Sequence, residues 1–267
     1  MGLGELPVRP YMAHAAADET GLRSEIIRVI RFAADNAPRS LQRRVGPSQV
    51  GTPCARQLAY QVAEHPPAPG RESMHDPWPS ILGTATHAWL AEAFEVANVD
   101  AERAGLSGPW HLERNVDVGL GLRGSCDCFH EPTGVVLDWK VLGDTQYRKY
   151  TTEGPSETYR TQAHCYGLGW MRAGFTVNRV GIGFFGRSKK LSDLHIWSEP
   201  FDLEVALRAL KRLRTVQQLV QAGVGPRQIP AKPGGACYFC SWRGRPEDGF
   251  CSGTSEEDNL APRFSGQ

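Results

Sequence analysis

Between residues 111 and 142 the apolar pattern of this chain stops repeating at helical spacing and breaks into three short runs rich in Val and Leu, 111–118, 121–129 and 134–142. Gly119-Leu120-Gly121 and Glu131-Pro132-Thr133-Gly134 separate them, and both are turn sequences, so the segment is predicted to be a three-stranded meander. The flanks supply elements to cover it. Residues 22–34 place Ile26, Ile27, Ile30, Phe32 and Ala33 on one side with Arg28 and Arg31 off it, which predicts a helix closed by Pro38. A second helix is expected from near Pro53, after the capping and turn residues Ser48 to Thr52. A long helix is expected over 80–101, with Leu82, Ala85, Trp89, Phe94 and Ala97 at helical spacing. A helix at 156–172, strands at 177–186 and 193–198 and a basic helix at 202–222 follow, and the chain from Pro226 reads as loop. The class is α/β, with no internal repeat.

A chain of 267 residues can bury roughly 70–75% of its unfolded surface in one core. No run reaches the ~18–20 uncharged apolar residues that span a bilayer, and Glu5, Pro7 and Pro10 stand where a signal peptide needs an apolar stretch. A soluble cytoplasmic protein with no membrane partner is expected. Its seven cysteines are an odd number for a disulfide framework and suit metal or cluster ligation in a reducing compartment. The net charge of +1 hides segregation: residues 21–56 carry +5, 57–138 carry −8, 139–190 carry +6, and 205–232 hold six basic residues and no acid. An acidic block between basic ones suits a site that binds cations and a polyanion together.

Gly124-Ser125-Cys126-Asp127-Cys128-Phe129 and Val135-Val136-Leu137-Asp138-Trp139-Lys140 carry the chemistry. Side chains alternate along a strand, so Asp138 and Lys140 share one face and Leu137 and Trp139 the other. A hairpin centred between Pro132 and Thr133 pairs positions that sum to 265, which sets Asp127 directly across from Asp138. Opposed carboxylates repel unless a cation lies between them, and oxygen ligands suit Mg²⁺ or Mn²⁺. Lys140 could hold an attacking water or stabilise charge on a phosphoryl oxygen. His87, off the stripe of Leu82, Ala85 and Trp89, could complete the metal site, and Gln162 and Tyr166, four apart on one helix, could orient phosphate or catalytic groups.

In this order, His87, Asp127, Asp138-x-Lys140 and Gln162-x-x-x-Tyr166 resemble the RecB-like branch of the PD-(D/E)XK nucleases, most of all the CRISPR-associated Cas-four exonucleases that also occur in phage genomes. The resemblance implies a restriction-endonuclease-like core, a mixed central sheet flanked by helices, and cleavage of DNA, single-stranded or with free ends, in recombination, repair or CRISPR adaptation. It implies a metal on His87, Asp127, Asp138 and the Trp139 carbonyl, and a possible recombination or CRISPR-adaptation partner. It also implies a helical iron–sulfur subdomain in which Cys54, Cys237, Cys240 and Cys251 hold a [4Fe–4S] cluster. One departure is the ten residues between Cys240 and Cys251, longer than the family's compact spacing.

Independently of the family, Cys237-x-x-Cys240 matches a metal-binding turn with Cys251 as a third ligand, and this spacing leaves zinc and iron–sulfur both open. Cys126 and Cys128, flanking Asp127, are expected to point away from it as core thiols, as is Cys165. The expected division is an extension at 1–20, a helical segment at 21–79 contributing Cys54, a nuclease core at 80–225, a cysteine segment at 226–252 and a tail at 253–267. The competing reading is a non-catalytic module that binds nucleic acid or a partner, with a structural Zn or Fe–S site; opposed carboxylates have no purpose there.

Overall fold

A computed structural model describes residues 19–37, 44–71 and 76–253. Pro38, residues 1–18 of the expected extension and the tail from 254 lie outside them. The chain divides into two compact units, Met1–Arg43 and Arg44–Gln267, so the Cys54 segment belongs with the sheet. The first unit contains α1 (Glu19–Asp35), in which Ile30 and Phe32 are half-buried while Ile26, Ile27 and Ala33 of the expected apolar side are exposed.

The second unit is built on one five-stranded sheet in the order β1-β2-β3-β4-β5: β1 (Trp110–Gly119), β2 (Leu122–His130), β3 (Val135–Leu142), β4 (Arg179–Gly186) and β5 (His195–Pro200). Every neighbouring pair is antiparallel except β3 and β4, which run parallel. A parallel pair needs a crossover, supplied here by α5 (Asp144–Glu153) and α6 (Glu157–Arg172). Helix α5 was not expected from its sequence, in which charged and hydroxyl residues dominate. At the β2–β3 turn Gly134 adopts φ 63°, where a Cβ would lie 2.6 Å from the Thr176 carbonyl. The Gly134 carbonyl accepts from the Asn178 and Arg179 amides, which starts β4 beside β3.

Ahead of the sheet come the short α2 (Pro47–Val50), α3 (Ala55–Val62) and α4 (Trp78–Arg103). The second helix therefore begins at Ala55 with Cys54 as its N-cap, and part of the expected capping stretch is itself helical. Helix α7 (Leu203–Gln221) follows β5, and the remainder forms 3-10 turns and loop. The sheet is sandwiched. On one face α6, buried continuously from Thr161 to Trp170, meets Phe129, Val136, Ile182 and Phe184. On the other, Leu90 and Phe94 of α4 meet Cys128, Trp139 and Leu112. Gly183 of β4 makes this possible, because a Cβ there would sit 2.6 Å from the Trp139 ring.

Helix α4 corrects the expected stripe. Ala85 and Trp89 are exposed, Trp89 at 64%, and the inward line is Gly83, His87, Leu90, Phe94 and Asn98. The Asn98 amide decides the rotation: its Nδ2 donates to the Trp110 carbonyl at 2.8 Å and its Oδ1 accepts from the Trp110 amide at 3.0 Å, pinning α4 to β1. That inward rotation brings His87 to the sheet.

Candidate functional site

The β2–β3 ladder has the expected register, Cys128 opposite Leu137, Phe129 opposite Val136 and His130 opposite Val135, but it ends one pair short of Asp127 and Asp138. Instead of a ladder partner, Trp139 N–H donates to Asp127 Oδ2 at 2.7 Å. The two strands part at this point and the site occupies the opening. Asp127 Oδ1 lies 3.3 Å from His87 Nδ1. Asp138 is ion-paired with Lys140, as their shared face requires, and accepts from Gln162 Nε2 at 3.0 Å. Tyr166 Oη is 3.4 Å from the same Gln162 nitrogen. His87, Asp127, Asp138, Lys140, Gln162 and Tyr166 are thus joined across α4, β2, β3 and α6.

Two residues join the site that the sequence analysis did not single out. Tyr159 presents its ring 5.0 Å from Lys140 Nζ, and its place on α6 three residues before Gln162 is a signal that was there to read. Glu113 of β1 is the other: a Glu113 oxygen, a His87 nitrogen and an Asp127 oxygen all lie within 4.8 Å of one another. The β1–β2 register pairs Leu112 with Cys128 and Arg114 with Cys126, which leaves Glu113 opposite Asp127.

At that position Glu113 has φ 47°, a left-handed conformation uncommon for a strand residue. Side-chain alternation breaks there in both strands. Leu112 and Cys128 pack with Leu90 and Trp139 on the α4 side, while Cys126 packs with Val116, Tyr166 and Trp170 on the α6 side. This corrects the expectation that Cys126 and Cys128 share one face: the irregularity between them sends the two thiols to opposite sides of the sheet.

The electrostatics favour a cation. Asp127 and Asp138 are both more than nine-tenths buried, and Lys140 is the ammonium shared between them. Burial raises the Asp138 carboxyl to about 6 against the pull of Lys140, with the Asp127 charge adding to the rise. Burial works against the Lys140 ammonium, yet Asp138 and Asp127 outweigh it and raise its pKa. For His87, burial opposes the imidazolium, but its bond to Asp127 and the charges of Asp127 and Asp138 raise its pKa overall. Gln162 Oε1 is buried with no hydrogen-bond partner among the described residues, an acceptor left over beside the carboxylates. The donors are oxygens and one imidazole, a set that fits Mg²⁺ or Mn²⁺.

Cys54, Cys237, Cys240 and Cys251 line one pocket with Arg56 and Lys232 on its wall. Arg56 Nη1 donates to Cys251 Sγ and the Lys232 amide to Cys54 Sγ, both at 3.4 Å. The Tyr60 and Trp242 rings stack at 5.6 Å and hold the segment after Cys54 against the segment after Cys240. Among the described residues, no three cysteine sulfurs lie within 4.8 Å of one another. Cys126, Cys128 and Cys165 are core thiols; burial drives all three pKa values up, Cys128 and Cys165 to about 12. In metal-free native protein, iodoacetamide at neutral pH should therefore label the half-buried Cys54 and Cys237 ahead of these three, with Cys240, whose thiol burial also pushes up, reacting more slowly than Cys54 and Cys237. Peptide mass spectrometry reads the result, and labelling of Cys128 ahead of unfolding would contradict it.

Fold and side chains together define a candidate divalent-cation site at the split of two antiparallel strands, beside a parallel pair. No protein-family model matches the sequence, and no curated protein matches it. Several solved structures are similar to the chain, among them the following. An alkaline exonuclease (LHK-Exo) from Laribacter hongkongensis is 11% identical with a TM-score of 0.47, covering 68% of this chain and 90% of its own. The protein SSO0001 is 13% identical with a TM-score of 0.41, covering 75% and 84%. A phage related exonuclease from Haemophilus somnus 129PT is 14% identical with a TM-score of 0.39, covering 63% and 82%. At such identities none of them determines the chemistry of this chain, which rests on its own side chains.

Proposed function

We propose that this protein is a divalent-metal-dependent DNA nuclease. The observation that carries the proposal is the opening between β2 and β3, where Asp127 is tied to His87 and to the Trp139 amide while Asp138 is tied to Lys140 and Gln162. His87, Asp127 and Asp138 would hold Mg²⁺ or Mn²⁺, with Glu113 as a further carboxylate. The N–H and C=O of a strand residue point to the same edge, so the Trp139 carbonyl faces the opening as well. When bound, the metal supplies neutralisation of phosphate charge and a water of lowered pKa.

The protein's own groups do the rest. Lys140, held by Asp138 and the Tyr159 ring, is placed to orient a water or to stabilise charge growing on a phosphoryl oxygen. Gln162 fixes the Asp138 carboxylate and is itself held beside Tyr166, so the strand side chains meet the substrate pre-ordered. Exonucleolytic action, a preference for single-stranded or free-ended DNA, and a place in recombination, repair or CRISPR adaptation with a protein partner are implied by the family resemblance; a cytoplasmic location is the reading of the composition and N-terminal sequence alone. Among the described residues no helix is long and apolar enough to cross a membrane.

Digestion of end-labelled single-stranded, duplex and circular DNA, with Mn²⁺ against EDTA, tests the reading. Metal-dependent cleavage is expected, with circular DNA spared if ends are required. No cleavage of any of the three would overturn it. Glu113→Gln is expected to weaken Mn²⁺ binding at least about tenfold by calorimetry, ~1.4 kcal/mol, because it removes one anionic donor. Unchanged affinity would remove Glu113 from the ligand set.

For the cysteine pocket the proposal is a [4Fe–4S] cluster on Cys54, Cys237, Cys240 and Cys251. What supports the reading is that the four cysteines line one pocket, together with the family resemblance; in such a cluster each thiolate meets a different metal atom. Anaerobically purified protein should be brown and contain iron and sulfide; a colourless, zinc-containing protein would refute it.

A further inference from the structure

The parallel strands β3 and β4 end side by side at Leu142 and Gly186, and a crevice opens beyond their carboxyl ends. Here that crevice is a cleft of about 160 Å³ lined by Asp144, Tyr147, Arg148, Thr151 and Lys189. At roughly 30 Å³ per water it has room for the four oxygens of a phosphate group. Two of its five walls are cationic. Asp144, the acid among them, already accepts from the Ser188 hydroxyl, and the Arg187 amide is tied to the Leu142 carbonyl at 2.9 Å, which fixes the β4 side of the cleft. The other side is α5, seated on β4 by the stack of Tyr150 on Phe184 at 5.6 Å and joined to the Lys140 environment by Tyr150 against Tyr159 at 5.5 Å.

We propose that this cleft is a phosphate-anchoring subsite in which Arg148 and Lys189 grip the nucleic-acid backbone within a few nucleotides of the phosphate that Lys140 faces. The proposal rests on the nuclease reading and adds where the strand runs. Three residues lie between Lys140 and Asp144, so the two are at most about 13 Å apart at ~3.3 Å per residue step. Arg148 and Lys189 of the basic stretch at 139–190 thereby acquire a position, at the carboxyl ends of β3 and β4, while Arg179 starts β4 at its other end and Arg160 is paired with Glu199. The stretch at 205–232 instead contributes α7, whose Ala206, Ala209 and Leu213 pack with Val50 and Leu58 in a different part of the core.

The test is fluorescence anisotropy of a single-stranded oligonucleotide in EDTA, where binding is seen without cleavage, from 50 to 200 mM salt. The Arg148→Ala/Lys189→Ala double variant is expected to bind on the order of tenfold more weakly, with the log–log salt slope reduced by about 1.4, ~0.7 for each lost phosphate contact. Arg208→Ala/Lys211→Ala on the exposed side of α7 removes the same charge and is expected to change neither quantity by as much. An unchanged slope in the cleft variant, or an equal fall in the α7 variant, would overturn the subsite while leaving the nuclease reading intact. Wild-type protein that shows no salt-dependent binding at all would also overturn the subsite, while the nuclease reading is decided separately by cleavage in Mn²⁺. Both cleft side chains are exposed, so an unchanged melting temperature confirms that folding is not being measured.

Discussion

Asp138→Asn and Lys140→Met are each expected to lower single-turnover DNA cleavage in Mn²⁺ by at least about 10²–10³-fold, with the fold retained. The two variants act from opposite directions. Asparagine keeps the volume of Asp138 and its acceptor for Gln162 Nε2 but removes one of the charges that gather a cation. Because it also strips the buried Lys140 ammonium of its carboxylate partner, the variant should melt lower than wild type. Methionine at 140 keeps the aliphatic stem against Tyr159 but leaves Asp127 and Asp138 without their ammonium. Uncompensated buried charge is costly, about 3–5 kcal/mol in a fully buried pair, so the Lys140 variant should melt lower than wild type and recover more of its melting temperature when Mn²⁺ is added. End-labelled substrate, rapid quench and a thermal melt measure all of this. Cleavage within tenfold of wild type by both variants would remove β3 from the catalytic machinery.

Trp170→Ala is expected to destabilise the protein by about 3–5 kcal/mol in urea denaturation, a large share of the 5–15 kcal/mol that holds a typical domain. Trp170 has no exposed surface; its ring stacks on Phe129 at 4.4 Å, meets Phe175 edge-on at 5.0 Å and lies beneath the Arg114 guanidinium at 5.0 Å. Truncation removes the ring that joins α6 to β1 and β2 and opens a cavity beneath the helix carrying Gln162 and Tyr166. A loss below about 1 kcal/mol would mean that this layer of the core collapses around the gap, contrary to the close packing of its aromatic partners.

The strands were legible because their cues are local. Alternation, glycine turns and the position of Pro132 specify a hairpin register, and the ladder at Cys128–Leu137 obeys it. The Gln162–Tyr166 spacing on α6 was legible for the same reason: helical period is a property of neighbouring residues. Helix α4 was misjudged from equally clear spacing. Its sequence is apolar on more than one side, and the choice between a Trp89 face and a Leu90 face is made by contacts with β1 and β3, above all the Asn98 clamp. Tyr159 and Glu113 were within reach, one by helical spacing and the other by extending the register across the first hairpin.

By itself, the sequence determined the elements around the site, the pairing register that brings Asp127 level with Asp138, the shared face of Asp138 and Lys140, and the segregation of charge. All of these follow from steric and periodic rules acting over a few residues. Tertiary structure decided that β4 lies parallel to β3, that α4 turns His87 inward, and that the β2–β3 ladder opens at Asp127 so that a side chain takes the Trp139 amide. It also decided that Cys54 shares a pocket with cysteines almost two hundred residues away. Each of those outcomes depends on which distant surfaces pack together, and no residue's immediate neighbours carry that information.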